Sequence, residues 1–345
     1  MNPKRRKRPV TIIDIAAKLG LSPMTVSRSL NSRQEVNEAT RKRVLECAAA
    51  MGYHPNRWAQ SLVKRRSMIV GVVIPDIAHS FFAEITTGVE EVLEKSGYDM
   101  LLCHSRARAE RETSEIGMLS SSRVDGLIVG STQGMYSPGI LEELRLRETP
   151  FVLVDRYFPA YNFASVRTDD ITVGRIATKY LVELGHKKIG YIGGPNLSPA
   201  QLRRRGFFAT VREAGIELER AWLRRGDFEI DGGYAAMKAI LQARRRPTAV
   251  FAANDPTAIG AVYACREAGL EIPAEMSIIG AGNIEGPHHP NPYLTTVDWP
   301  RAELGRTAAR LLLDAIQEPS PEKLSAVKIF APQLLARQTT APPRD

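Results

Sequence analysis

The sequence predicts an all-α helix-turn-helix head joined to a larger α/β core made of two lobes of doubly wound parallel sheet. Three observations carry this. Basic charge is segregated: residues 1–67 hold fifteen Lys and Arg against four Asp and Glu, so about +11 falls on the head of a chain whose formal charge is +9. Near the start, two short amphipathic stretches flank a Gly-containing turn. From Met68 onward, short β-branched runs alternate with amphipathic helical patterns, as in βαβ winding.

At 345 residues the chain suits two or three domains. Charge placed for solubility would be spread, whereas charge that neutralises phosphates acts locally, so double-stranded nucleic acid is the expected partner of the head. The run Lys4-Arg5-Arg6-Lys7-Arg8 adds little, because such runs are also solvated tails. Cys47, Cys103 and Cys265 form no CxxC pair, which argues against a disulfide framework and a thiolate metal site and fits a reducing cytoplasm. No apolar segment follows the basic start, and no run of about 18 apolar residues occurs, so neither secretion nor membrane insertion is expected.

Thr11 is placed to cap a first helix with Ile12, Ile15, Ala16 and Leu19 on one face, ended by Gly20. Ser22 then caps a second helix with Pro23 at its first position and Val26 and Leu30 inward. Thr25, Ser27 and Arg28 project from its polar face. Arg28 has the shape to engage guanine bidentately, and hydroxyls suit phosphates. A third helix over 38–51 turns Val44, Leu45 and Ala48 inward and Arg41, Lys42 and Arg43 outward. On topology alone, any small helical hairpin would fit.

Val10-Thr11-Ile12-Ile13-Asp14-Ile15-Ala16, Leu21-Ser22-Pro23-Met24-Thr25-Val26-Ser27-Arg28, Asn31 and Gly52-Tyr53-His54-Pro55-Asn56-Arg57 together resemble the signature of the LacI/GalR family of repressors, which includes lactose, galactose and purine repressors. The resemblance implies a DNA-binding head over 1–54 and a hinge helix and linker over 55–67. It assigns DNA contact to Thr11, Ser22, Pro23, Met24, Thr25, Ser27, Arg28 and Asn31, and to Asn56, Arg57, Ala59 and Leu62 of the hinge. Leu62 sits where the family's leucine wedge enters a central minor-groove step, at a cost of a few kcal/mol in unstacking. Met24 departs from relatives with a polar reader, so apolar contact is expected there.

The core is expected over 68–345. Residues 68–75 (MIVGVVIP) read as a strand buried on both faces. Helices near 82–96, 110–121 and 141–146 alternate with strands at 100–103, 126–129 and 151–154. The pattern resumes with helices at 172–184, 199–214, 232–242 and 257–268 and strands at 189–193, 249–252 and 277–280. A last helix, 301–317, and strands near 328–330 and 334–336 are shared between lobes: an N-lobe of about 68–167 plus 298–322, and a C-lobe of about 168–297 plus 323–345. The resemblance continues with Val124-Asp125-Gly126, Leu184-Gly185-His186, Ala253-Asn254-Asp255, Leu294-Thr295-Thr296 and Leu335-Ala336-Arg337, and implies the plan of periplasmic sugar-binding proteins.

Ligands in such sheets sit beyond the carboxyl ends of strands, so post-strand loops should line a cleft between the lobes. By resemblance, Phe81, Phe82, Asp155, Arg203, Phe228, Asn254 and Asn283 are effector-binding. The plainer readings are core packing for the phenylalanines and a surface charge for Arg203. Asp255 reads as an N-cap. Gly282 stands where sugar-responsive relatives carry an aspartate. Asn283 could replace it, or an Arg-rich, carboxylate-poor cleft could take a sugar acid or phosphorylated sugar. A purine-type corepressor is the alternative.

Catalytic signatures are missing: GxxxxGK[ST], GxSxG, HExxH and a full GxGxxG do not occur, and His288 and His289 are adjacent, a poor chelating spacing. No cofactor, metal or catalytic residue is expected. A free sugar-binding protein is disfavoured by the basic head. What remains is a cytoplasmic, nucleoid-associated homodimeric regulator, a repressor of a pseudo-palindromic operator under small-molecule control. With no heptad repeat after Arg337, a dimer is expected rather than a tetramer.

Overall fold

The computed structural model describes residue 8 and residues 10–30, 36–53, 66–284 and 293–344. The chain divides into two compact units, Met1–Ser67 and Met68–Asp345. Each is described by itself. Expectations that fall on Asn31, Asn56, Arg57, Ala59, Leu62, His288 and His289 lie outside the described residues.

In the first unit Thr11 caps α1 (Ile12–Leu19). Its Oγ1 accepts from the Asp14 amide at 3.4 Å, and the Asp14 carboxylate accepts from the Thr11 amide at 2.9 Å. This reciprocal box satisfies donors that the helix start would leave open. Gly20 ends α1 with φ 65°, a left-handed conformation that costs glycine nothing. Ser22 Oγ then accepts from the Thr25 amide at 3.0 Å to start α2 (Pro23–Leu30). Asn37 caps α3 (Glu38–Ala50), its Oδ1 accepting from Ala39 at 2.7 Å. Ile15, Ala16, Val26, Val44, Cys47 and Ala48 are the buried centre. Leu45, expected inward, is exposed. The inward row is 44, 47 and 48, at i, i+3 and i+4, and Leu45 is turned away from it.

The second unit holds two parallel sheets. One has six strands in the order β11-β5-β4-β3-β1-β2: β1 (Ile69–Ile74), β2 (Asp99–His104), β3 (Gly126–Val129), β4 (Phe151–Val154), β5 (Ser165–Thr168) and β11 (Val327–Phe330). The other, in the order β7-β6-β8-β9, has β6 (Ile189–Gly193), β7 (Leu223–Arg225), β8 (Ala249–Ala252) and β9 (Ser277–Ile279). β10 (Thr296–Asp298) and β12 (Gln333–Leu335) pair antiparallel. Strands β3, β4, β6 and β8 are buried throughout and β1 is buried after its first residue, as the unbroken apolar runs require.

Helices α4 (Ser80–Lys95), α5 (Ala109–Ser121), α6 (Ile140–Leu146) and α11 (Arg301–Gln317) belong with the first sheet. Helices α7 (Asp170–Glu183), α8 (Ser198–Glu213), α9 (Ile230–Leu241) and α10 (Asp255–Glu267) belong with the second. The short α12 (Pro321–Leu324) packs on α11. Among the described residues the chain passes between lobes three times: between β5 and α7, between β10 and α11, and between β11 and β12. No helix among the described residues is long and apolar enough to cross a membrane.

The lobe boundary differs from expectation at the third passage. Residues 323–330 were assigned to the C-lobe, but β11 pairs with β5 in the first sheet. The reason is local: Lys323 Nζ donates to Asp314 O at 3.3 Å, folding α12 back on α11, and the Ala164 amide donates to Leu324 O at 3.0 Å. The chain is therefore already at the edge of the first sheet when β11 begins. β5 and β7 were not anticipated, because Ser165, Arg167 and Thr168, and Arg224 and Arg225, interrupt the apolar runs.

Paired helices approach closely where both carry glycine. A Cβ on Gly174 of α7 would stand 2.1 Å from the backbone oxygen of Arg203 on α8, and one on Gly206 of α8 would stand 2.2 Å from Ile171 O. These glycines set how near Arg203 comes to the start of α7. Gly174→Ala is expected to lower the unfolding free energy by about 2–3 kcal/mol through overpacking, and urea denaturation reads it directly. An unchanged midpoint would mean the helices part without cost.

Candidate functional site

A cleft of about 770 Å³ lies between the two lobes of the second unit. Its walls come from the carboxyl ends of parallel strands: Pro75, Asp76 and His79 after β1, His104 and Arg106 after β2, Thr132 after β3, Asp155 and Arg156 after β4, Pro195 to Leu197 after β6, Asp227 to Glu229 after β7, Asn254 after β8 and Gly282 after β9. This is where doubly wound sheets place ligands.

Arg203 is 4% exposed, held from three directions. Its Nε donates to Asp170 Oδ1 at 2.8 Å, its Nη1 donates to Ala253 O at 2.8 Å, and its guanidinium lies 4.9 Å from the centre of the Trp299 ring. Burial pushes the Asp170 carboxyl up to about 6, against the pull of Arg203. Arg156 Nε donates to Asp155 Oδ2 at 2.7 Å, forming a second buried pair. His79, Phe81, Phe82 and Trp299 form a wall of edge-to-face rings, with Phe81 and Phe82 5.0 Å apart. His79 Nδ1, His104 Nδ1, Arg156 Nη1 and Trp299 Nε1, all on residues that line the cleft, are buried without a hydrogen-bond partner and keep polar capacity there.

Four wall residues other than glycine have backbones that favour glycine: Arg106 and Ala107 at φ 53°, Asp155 at φ 68° and Phe228 at φ 77°. Phe228 has a supporting neighbour. That neighbour is Asn254. Its Nδ2 donates to Phe228 O at 2.8 Å while its Oδ1 accepts from the Thr257 amide at 3.1 Å, capping α10. The N-cap is thus Asn254 and not Asp255. Asp255 is fully buried, and its carboxylate accepts from the Thr296 hydroxyl at 2.6 Å and the Ile284 amide at 2.9 Å.

Six of the seven residues expected at an effector site line the cleft: Phe81, Phe82, Asp155, Arg203, Phe228 and Asn254. Asn283 does not. Its Oδ1 accepts from Arg337 Nη2 at 2.7 Å, so it does not replace a carboxylate at Gly282, which itself lines the cleft. The cleft is also not carboxylate-poor: Asp76, Asp155, Asp227 and Glu229 line it beside Arg106, Arg156 and Arg203. The acidic side chains come from loops after β1, β4 and β7, which the sequence does not show to be neighbours. Trp299 and Asp170 were missed as well. Their signal is position, each beside a passage between lobes. Among the described residues no group of His, Cys, Asp or Glu is placed to hold a metal ion.

In the first unit α2 presents Pro23, Met24 and Arg28 to solvent, with Ser22 exposed at its start and Thr25 and Ser27 half-buried. Met24 is 64% exposed and packs into no core. Thr11 is half-buried at the cap of α1.

Residues 11–56 match the family of bacterial regulatory proteins, lacI family, and residues 67–334 match the periplasmic binding proteins and sugar binding domain of the LacI family. The chain belongs to the LacI family. It is 34% identical to the HTH-type transcriptional repressor CytR of Escherichia coli K12 over 318 residues, 92% of this chain and 93% of that one. It is 35% identical to the HTH-type transcriptional repressor PurR of Edwardsiella ictaluri over 334 residues, 96% of this chain and 97% of that one. The fold is similar to that of the lac repressor dimer bound to operator and the anti-inducer ONPF, with a TM-score of 0.86, 28% identity, and coverage of 97% of this chain and all of that one. A LacI-family member with this head is a DNA-binding transcriptional regulator and not an enzyme.

The Asp170 carboxyl supplies a pH test. Its folded pKa of about 6 lies above the ordinary 3.8, so its contribution to stability is full below about 3.8 and is lost as pH rises through about 6. Between pH 7 and pH 5 wild type should gain about 1 kcal/mol relative to Asp170→Asn. Thermal melts of both proteins at the two pH values check this. A gap that stays constant would remove Asp170 from the titration.

Proposed function

We propose that this LacI-family regulator represses transcription as a dimer on a two-fold symmetric operator, with α2 as the recognition helix and a neutral, polyhydroxylated ring molecule as effector in the cleft. The observation that carries the first half is the outward face of α2. Val26 turns inward, while Pro23, Met24 and Arg28 are exposed on the opposite side and Met24 joins no apolar core, so this face is presented outward. In this reading Arg28 reads a base edge in the major groove, Met24 makes apolar contact with one, and Thr11, Ser22, Pro23, Thr25 and Ser27 meet backbone and groove wall. Asn31 and the hinge residues Asn56, Arg57, Ala59 and Leu62 keep the DNA-contact roles that the family resemblance implies. The basic head supports placing the protein on the nucleoid in the cytoplasm.

For the effector, charge decides between the candidates. Arg203 is paired with Asp170 and Arg156 with Asp155, which leaves Arg106 facing Asp76, Asp227 and Glu229. Such a cleft repels a phosphate and accepts hydroxyl donors, and its rings offer apolar faces to a sugar. The expected ligand is therefore a neutral sugar rather than a sugar acid or phosphate.

Two measurements test the halves separately. Selection from random duplex DNA should yield a two-fold symmetric site, on which Arg28→Ala loses about 1–3 kcal/mol with little change on random DNA. Equal losses on both would sink the α2 assignment. Thermal-shift titration with neutral mono- and disaccharides and with their phosphates should show stabilisation by a neutral compound, weakened about tenfold or more in Phe82→Ala. Stabilisation by phosphates alone would reverse the effector assignment.

A further inference from the structure

Glu112 is a fully buried carboxylate on α5. Among the described residues it makes no ion pair. Instead it gathers one loop: Oε1 accepts from Ser131 Oγ at 2.7 Å, and Oε2 accepts from Thr132 Oγ1 at 2.7 Å and from the Thr132 amide. Gln133 adds two bonds to the same framework, from its amide to Ser131 Oγ at 3.1 Å and from its Nε2 to Ala109 O at 3.2 Å, at the start of α5. A buried charge without a cation is expensive, and its position in the first turn of α5 offsets only part of that. A neutral side chain would fill the space at lower cost. What the charge provides is three directed, charge-assisted bonds that fix residues 131 and 132.

That loop leaves the N-lobe and reaches the C-lobe. Beyond Thr132 and Gly134, which line the cleft, the Met135 amide donates to Asn196 O at 3.4 Å. A second bridge runs beside it, from the Tyr157 amide to Ser198 Oγ at 3.0 Å at the start of α8. Asn196 and Leu197 line the cleft from the other side. The three chain passages lie elsewhere, so these bridges are breakable links across the opening.

We propose that residues 131–135 are a strap that closes the cleft by bonding to the loop after β6, and that Glu112 is the positioning residue that holds the strap in its closing shape. The effect on regulation rests on the reading of the cleft as the effector site; the strap itself does not. Effector affinity then depends on Glu112 although Glu112 does not line the cleft.

The test needs no ligand. In full-length protein carrying Met135→Cys and Asn196→Cys, whose backbones are hydrogen-bonded, mild oxidation should join the two positions, as peptide mass spectrometry would show. Adding Glu112→Gln, which is isosteric but replaces one acceptor oxygen by a donor, should slow the cross-link about tenfold. An unchanged rate in a variant with the wild-type melting temperature overturns the proposal. If Glu112→Gln folds poorly, Thr132→Val removes one hydroxyl donor and keeps the amide. It should slow the cross-link by a smaller factor, and no slowing there overturns the proposal equally. Thermal shift with the neutral saccharides separates the two readings. Cross-linking that follows Glu112 while no saccharide binds refutes the effector assignment alone. Saccharide binding with cross-linking indifferent to Glu112 and Thr132 refutes the strap alone.

Discussion

The second unit is organised around one buried ion pair. Asp170 opens α7 just after the first passage between lobes, Trp299 lies in the second, Ala253 follows the central strand β8 of the C-lobe, and the Arg203 guanidinium touches all three. Removing either member of such a pair would leave an uncompensated buried charge, so the pair constrains everything packed around it. The close approach of α7 and α8 at Gly174 and Gly206 is part of the same constraint, because it delivers Arg203 to Asp170. Movement of the lobes therefore has to be compatible with a fixed pivot at this point.

From that pivot the cleft acquires two unlike walls. The N-lobe side is a cluster of edge-to-face rings, His79, Phe81 and Phe82, closed by Trp299. The C-lobe side is a set of strained or committed loop residues, with Phe228 in a left-handed backbone conformation and Asn254 supporting it while capping α10. Asn254 thus acts on the cleft mainly through Phe228. With Arg156 and Arg203 each paired to an aspartate, the charges left over are Arg106 against Asp76, Asp227 and Glu229, and the interior keeps a negative balance.

The winding of the core was legible because buried parallel strands are written as unbroken apolar runs, such as 68–75, and because capping residues mark helix starts, as at Thr11 and Ser22. Strands at sheet edges carry mixed residues and were misread or missed, as with β5, β7 and the lobe of β11. At the cleft, side chains on loops that follow known strands were found by rule and by resemblance. Asp170 and Trp299 were not, since their proximity depends on how the chain passes between lobes, and Glu229 was not, since it follows the mixed edge strand β7; Asp76 directly follows the legible strand β1 and carries no motif that sets it apart. Asn283 was misassigned because adjacency in sequence to Gly282 says nothing about direction, and Arg337, more than fifty residues away, takes its side chain.

Met24 carries no packing duty in a head whose buried apolar centre, among the described residues, is six side chains, half of them alanine or cysteine. Arg203, by contrast, belongs to the joint that holds a two-lobed unit together. Over evolutionary time the two surfaces should therefore drift at different speeds. A change at position 24 alters what the head meets without passing through an unstable intermediate, whereas a change at position 203 has to be accompanied by others at 170, 174 or 299. Descendants of such a chain would be expected to acquire new DNA targets readily while retaining the inner end of an ancestral cleft.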